Sequence, residues 1–465
     1  MFTKDPFSTV AAVSTPRGKG GIAVIRISGR DTAKILERCF APKGAPISER
    51  PFRTAVYGDI IFDGEVIDTG VCTLFEEGRS FTGESMAELS CHGGVWITGA
   101  VLEAVIAAGA EPAGAGEFTR RAFVNGKLTL SEAEAVGQLI DADTRSRAAM
   151  ASGAVRGNVS GAIANIDEEL LSVMTALYAA IDYPEEDVGT EGEDRIYDVV
   201  ASSLDKIDAL RRTYKTGRAV SEGVKTVICG RPNVGKSSLY NLLLGEDRAI
   251  VTDVAGTTRD TLEDTADVGG VTLRLLDTAG IRKTDDKVEK LGVERANSKL
   301  DEAELVICVF DASEKMTRDD YELIEKLKTL PCAKICVENK LDLPSDAPSD
   351  EDRDARRSFA DITIELSAKT GEGKAALEDA VARLFNEEKL DLASDAVIWS
   401  AAQKASLDRA HAFLSSAKEA LEAGSPLDAV GVVCEEALAE LRMVDGRDVS
   451  DDIIDGIFSK FCVGK

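Results

Sequence analysis

The spacing of apolar residues changes three times along the chain, and each change predicts a different architecture. Residues 1–124 carry β-like runs at Gly21–Ile27, Thr54–Phe62 and Gly70–Phe75. Two helix-spaced stretches lie among them, Asp31–Cys39 and Val95–Ala108, the second stopped by Gly109. From Ser131 to Ser221 the chain is Ala-rich, with apolar positions at helical spacing and a break at Tyr183-Pro184. Strand-type runs follow at Val224–Cys229, Val271–Leu276, Ala333–Val337 and Ile362–Leu366, with a helix over Ser237–Leu244 after the first. Residues 396–461 return to helix. The last helix gathers Ile453, Ile454, Ile457, Phe458 and Phe461 on one face and sets Asp451 and Asp452 at its positive end. Helical sequence on both sides of an α/β segment predicts an insertion, which compact domains accept where their termini lie close together. The fold class is therefore multidomain α/β: an N-terminal α+β domain (1–124), an all-α domain in two parts (125–221 and 385–465), and an inserted α/β domain (222–384).

Candidate chemistry concentrates in that insertion. Residues 230–237 read Gly-Arg-Pro-Asn-Val-Gly-Lys-Ser, a complete phosphate loop between a strand and a helix. Gly230 and Gly235 let backbone N–H groups of Asn233, Val234 and their neighbours face phosphates; Lys236 reaches the terminal phosphates, and Ser237, followed by Ser238, offers a hydroxyl to Mg²⁺. Asp277-Thr278-Ala279-Gly280 ends a second strand, with Asp277 suited to an outer-shell Mg²⁺ contact and the Gly280 N–H to a γ-phosphate. Asn339-Lys340-Leu341-Asp342 ends a third. The Asp342 carboxylate accepts from the N1–H and exocyclic amine of guanine, a donor pair adenine lacks, which selects GTP over ATP. Ser367-Ala368-Lys369 ends a fourth, placed to meet the guanine O6 through backbone.

Two departures from the familiar small-GTPase pattern alter the expected mechanism. The position after the D-x-x-G element, where a water-orienting Gln is usual, is Ile281, so an acid downstream must serve: Asp285, Asp286 or Glu289. Asn233 offers a side-chain oxygen to a monovalent cation beside the phosphates, or alternatively only stabilises its own turn. Between the loops, Thr252-Asp253-Val254-Ala255-Gly256-Thr257-Thr258 reads as a switch that orders around Mg²⁺ through Thr258.

Composition narrows the class further. The chain has 465 residues, 44% hydrophobic and 29% charged, and no apolar stretch long enough to span a membrane. Nine cysteines without C-x-x-C spacing read as reduced, in a cytoplasmic protein, and two histidines are too few for a His-rich metal site. A formal charge of −27 repels phosphate backbones, so work on nucleic acid requires a basic patch or a partner. The acidic stretch Ser345–Asp354 reads as a solvated loop. In the N-terminal segment, Arg26 sits within an apolar strand and needs a partner.

From end to end the chain resembles the MnmE (TrmE) family. The resemblance is carried by GGIAVIRISG, FTGE, HGG, GEFTRRAF, NGK, GRPNVGKSS, TDVAGTTRD, DTAG and the closing FCVGK, where Val463 replaces the family's usual Ile. It implies a homodimer formed through N-terminal domains that bind a 5,10-methylene- or 5-formyl-tetrahydrofolate, and a K⁺-stimulated GTPase cycling between GTP and GDP. It also implies a complex with the flavoprotein MnmG (GidA), a heterotetramer or larger, that installs aminomethyl or carboxymethylaminomethyl groups at C5 of the wobble uridine of certain tRNAs. Folate contacts fall on Arg26, Glu88, Lys127 and Lys465; K⁺ contacts on Asn233, Thr252, Val254 and Thr257; Mg²⁺ on Ser237 and Thr258. Glu289 matches the residue that orients the hydrolytic water, and Cys462 matches an essential cysteine whose role is open. The rival expectation is a ribosome-assembly or regulatory GTPase without one-carbon chemistry.

Overall fold

The structure, a computed structural model, describes residues 8–182, 189–245, 264–276, 299–344, 349–386, 388–447, 451–459 and 461–464. The chain forms two compact units, one of Met1–Gly137 with Arg442–Lys465 and the other of Gln138–Leu441.

The first unit is built on a seven-stranded sheet. Its strands are β1 (Val10–Val13), β2 (Ile22–Ser28), β3 (Phe40–Pro42), β4 (Ala55–Phe62), β5 (Glu65–Phe75), β6 (Met86–His92) and β7 (Glu111–Pro112), in the order β3-β4-β5-β6-β2-β1-β7. Strand alternation gives β2 two characters. Ala23, Ile25 and Ile27 are buried with Ile35 and Leu36 of the helix Thr32–Cys39 and Val101 and Val105 of the helix Val95–Ala107. The intervening positions carry Arg26 and Ser28. β2 pairs antiparallel with both β1 and β6, which sets Arg26 opposite Ala12 on one side and Glu88 on the other. The chain returns to this unit through the helix Asp451–Phe458, whose Ile454 and Phe458 bury against Leu130 and Ala133. Phe458 also stacks with Phe461 and Phe123, at ring-centroid distances of 5.4 and 6.3 Å.

The second unit combines helices with a six-stranded sheet. After the helix Gly189–Ser221 come β8 (Val224–Cys229), β9 (Asp264–Val268), β10 (Val271–Leu275), β11 (Leu305–Asp311), β12 (Ala333–Asn339) and β13 (Ile362–Glu365), ordered β13-β12-β11-β8-β10-β9. Only β9 runs antiparallel to its neighbour. Both faces of the parallel strands are covered, so β11 is buried throughout and reads as a continuous apolar run. The chain leaves the sheet through the helix Lys374–Phe385 and re-enters helical structure at Ala401–Glu422, which packs on Gly189–Ser221. Helix Arg145–Val155 is tied to the sheet edge at its start: Ser146 donates its N–H and hydroxyl to Asp267, and Thr144 bonds Thr272 at 3.0 Å.

Several elements differ from the sequence-based expectation. The run Ser131–Ser221 is divided by short breaks before Arg145 and Asn158, and the break expected at Tyr183-Pro184 falls outside the described residues. The C-terminal helical region begins at Ala401. The second half of the acidic stretch expected as a loop is instead the start of the helix Asp350–Arg357: Ser349 caps the Asp352 N–H, and Asp350, Glu351 and Asp352 occupy the first turn, where the helix dipole favours negative charge. Among the described residues, no helix is long and apolar enough to cross a membrane.

Candidate functional site

β8 ends at Cys229 and the chain turns through Gly230 into the phosphate-loop sequence. Gly230 (φ +139°) and Gly235 (φ +101°) adopt conformations that L side chains rarely hold. A Cβ at Gly230 would stand 2.3 Å from the Val309 carbonyl, and one at Gly235 would stand 2.1 Å from Asn339 Nδ2. Asn233 is itself left-handed (φ +65°), a conformation Asn tolerates better than most residues. Lys236 opens the helix Lys236–Leu244 and donates from Nζ to the carbonyls of Gly230 (2.8 Å) and Arg231 (2.5 Å). Burial draws its pKa below the ordinary lysine value. A Gly cradle closed by a helix N-terminus and a lysine fits a polyphosphate.

The ends of β12 and β13 come to the same end of the sheet. Asn339 Nδ2 donates to the Val234 carbonyl at 2.8 Å, and Asn339 Oδ1 accepts from the Ala368 N–H at 2.8 Å, so one side chain joins three of the motifs. Asp342 is exposed and accepts from the Ser367 hydroxyl at 2.7 Å, a bond that holds its carboxyl below the usual range. An ionised carboxylate here suits the two guanine donors. Lys340 pairs with Asp311 at 2.5 Å. Burial pushes the Asp311 carboxyl up, but hydrogen bonds from Lys340 and Ser313 outweigh it and hold the group low.

One member of this site escaped the sequence. Arg356 is fully buried, lies over the Phe310 ring and donates to the carbonyls of Asp311 and Glu314, each at 3.2 Å. It lies two residues beyond the acidic stretch expected as a loop, in the last turn of the helix Asp350–Arg357. Thr252, Asp253, Val254, Ala255, Gly256, Thr257, Thr258, Asp277, Thr278, Ala279, Gly280 and Glu289 lie outside the described residues, as do Ile281, Asp285 and Asp286.

The first unit gathers the other candidates. Arg26 Nη2 meets Glu88 Oε1 at 2.8 Å, the cross-strand partner that its place in an apolar strand demanded. Its guanidinium also lies over two rings, Phe81 (5.4 Å to the centroid) and Phe118 (5.6 Å). Neither ring was singled out in the sequence, although both belong to quoted motifs, FTGE and GEFTRRAF. Lys127 Nζ donates to the Gly78 carbonyl at 3.0 Å.

The chain's tail crosses the start of the helix Glu117–Val124, which carries Phe118. Ala115 bridges Val463 antiparallel, and the Gly116 N–H donates to the Cys462 carbonyl at 3.3 Å. Ser14, one residue beyond β1, donates its hydroxyl to the Gly464 carbonyl at 2.9 Å. Gly464 is left-handed (φ +101°), and a Cβ there would stand 2.2 Å from the Val13 carbonyl. Of the nine cysteines Cys462 alone is exposed. Lys465 lies outside the described residues.

Comparison with known proteins gives the family. Residues 9–127 match the profile described as "GTP-binding protein TrmE N-terminus", and residues 130–462 match "MnmE helical domain". The "tRNA modification GTPase MnmE" of Thermoanaerobacter sp. (strain X514) is 38% identical over 462 residues, covering 99% of this chain and 100% of the relative. The protein of the same name from Lactobacillus helveticus (strain DPC 4571) is 39% identical over 465 residues, with 100% and 99% covered. That from Clostridioides difficile (strain 630) is 37% identical over 470 residues, with both chains fully covered. With relatives this similar along its whole length, and a profile spanning most of it, the chain belongs to the MnmE family of tRNA modification GTPases.

Proposed function

We propose that this protein hydrolyses GTP in the cytoplasm and, with an MnmG-type flavoprotein, adds an aminomethyl or carboxymethylaminomethyl group at C5 of the wobble uridine of certain tRNAs. The segment 222–384 is the inserted Ras-like GTPase domain; 125–221 and 385–465 are the two parts of the helical domain; 1–124 binds folate and mediates homodimerisation. The phosphate-loop amides and Lys236 hold the β- and γ-phosphates, Ser237 and Thr258 hold Mg²⁺, and Asp342, Ser367, Ala368 and Lys369 select guanine. Thr252 to Thr258 and Asp277 to Gly280 complete the nucleotide contacts, and Glu289 orients the attacking water. Asn233, Thr252, Val254 and Thr257 hold K⁺, whose charge offsets that developing on the phosphate oxygens.

In the first unit, Arg26, Glu88 and Lys127 bind the folate, with Lys465 beside them. Arg26 is suited to this work because its planar guanidinium lies over two rings and is paired with Glu88. When bound, the tetrahydrofolate supplies the one-carbon unit. Cys462 stands on a tail fastened next to the Phe118 helix, and this fastening supports the reading most strongly. The chain's own charge of −27 favours a basic partner as the tRNA-holding surface.

Isothermal titration with 5-formyltetrahydrofolate tests the assignment. Binding is expected to the intact protein and to be lost in Arg26→Ala, with removal of a charge-assisted anchor costing about 10- to 100-fold in affinity. A protein that ignores the folate, with or without Arg26, is instead a ribosome-assembly or regulatory GTPase without one-carbon chemistry.

A further inference from the structure

Behind the Arg26 pocket lies a charged cluster that none of the roles above uses. Arg121 is buried on the helix Glu117–Val124. Its Nη1 donates to both carboxylate oxygens of Glu84, at 2.9 and 3.2 Å, and to the Ser8 carbonyl at 2.9 Å; its Nε donates to Glu117 at 3.1 Å. Glu84 in turn accepts from the Ser28 hydroxyl at 2.7 Å, and Ser28 lies two residues beyond Arg26 on the same face of β2. Ser28 also bonds Thr82 at 2.7 Å.

These bonds converge on one short loop. Ser80 donates to the Glu84 carbonyl at 2.5 Å, and Asn125 donates to the Thr82 carbonyl at 2.7 Å, so the loop is held on both sides of Phe81. The same loop supports a second candidate. The Lys127 stem passes 3.2 Å from where a Gly83 Cβ would sit, and its ammonium rests on Gly78. Meanwhile Glu117 and Arg121 flank Phe118 on its helix. Both rings around Arg26, and the stem of Lys127, thus depend on segments joined by the Arg121–Glu84 pair.

We propose that Arg121 and Glu84 are positioning residues of the Arg26 pocket: their ion pair, together with the Arg121 bonds to Ser8 and Glu117, locks the Phe81 loop to the Phe118 helix and so fixes where the Arg26 guanidinium and the Lys127 ammonium present themselves to ligand. This rests on the folate reading of that pocket. On this reading both residues act through Phe81 and Phe118. A guanidinium is suited to this because its separate N–H groups reach Glu84, the Ser8 carbonyl and Glu117 from one rigid plane, which a lysine does not.

The test is titration of the full chain with 5-formyltetrahydrofolate. Glu84→Gln, which keeps volume but removes the ion pair, and Arg121→Lys, which keeps charge but loses the rigid span from Glu84 to Glu117, are each expected to weaken binding at least about tenfold. In a Phe81→Ala background, Glu84→Gln is expected to add little, because the wall it positions is gone. Thermal melts of both variants separate a displaced loop from an unfolded unit, and Arg121→Lys provides the second arm should Glu84→Gln unfold. Wild-type affinity in both variants, or losses that simply add to that of Phe81→Ala, would overturn the positioning role while leaving the folate reading intact. No binding by the wild-type protein would overturn both.

Discussion

Deleting Phe461–Lys465 is expected to stop wobble-uridine modification while GTP hydrolysis stays within about twofold of the intact protein, since residues that share no partners act additively. The tail belongs to the unit containing Arg26, whereas the phosphate loop belongs to the other. A finer lesion follows from its backbone. Gly464 is left-handed and packed under the Val13 carbonyl, so Gly464→Ala brings a methyl to 2.2 Å from that oxygen. The left-handed conformation alone costs a residue with a Cβ about 1–2 kcal/mol, enough to lower occupancy of the docked state around tenfold. Release also frees Cys462, so its alkylation by iodoacetamide is expected to accelerate; six of the other eight cysteines are buried and none is exposed. Phosphate release and nucleoside analysis of modified tRNA read the two activities separately. Loss of both in the truncated chain means the tail is only structural; survival of modification means it takes no part in the chemistry.

Exchanging Na⁺ for K⁺ is expected to raise GTP hydrolysis by about 10²- to 10³-fold, the range associated with one well-placed electrostatic stabiliser. The reason lies in what the sequence lacks. Ile281 offers no group to orient water, and a fixed cation beside the phosphates would compensate. Asn233 is the candidate ligand among the described residues, and its left-handed turn sits within the phosphate loop itself. Asn233→Ala is therefore expected to abolish the difference between the salts while retaining nucleotide affinity, measured with a fluorescent GDP analogue. Equal rates in Na⁺ and K⁺ for the wild-type protein would remove K⁺ from the mechanism.

How much of this could be read from the chain depended on how local each feature is. The phosphate loop was legible because contiguous residues, Gly230 to Ser237, supply both the geometry and the donors. β8, β12 and β13 were legible as apolar runs leading into motifs. β11 is just as apolar, Leu305–Asp311, but no motif follows it to mark it as a strand of this sheet. β1, β3 and β7 are two to four residues long and exist through their partners, which no local pattern encodes. The helix Asp350–Arg357 does carry a start signal, Ser349 before three acids, but so dense a charge run equally fits a solvated loop. The Arg26 pocket was half legible: an arginine within an apolar strand demanded a partner, but Phe81, Phe118 and the tail come from separate stretches that only the fold unites.

The central claim is that GTP turnover in one unit drives one-carbon chemistry held by the two extremities of the chain in the other. Mass spectrometry of wobble uridines in tRNA from cells lacking the gene, complemented with wild-type, Lys236→Ala or Cys462→Ser protein, tests it most directly. Modified uridine is expected only with the wild-type protein. Normal modification without the gene, or its restoration by Lys236→Ala, would contradict the claim.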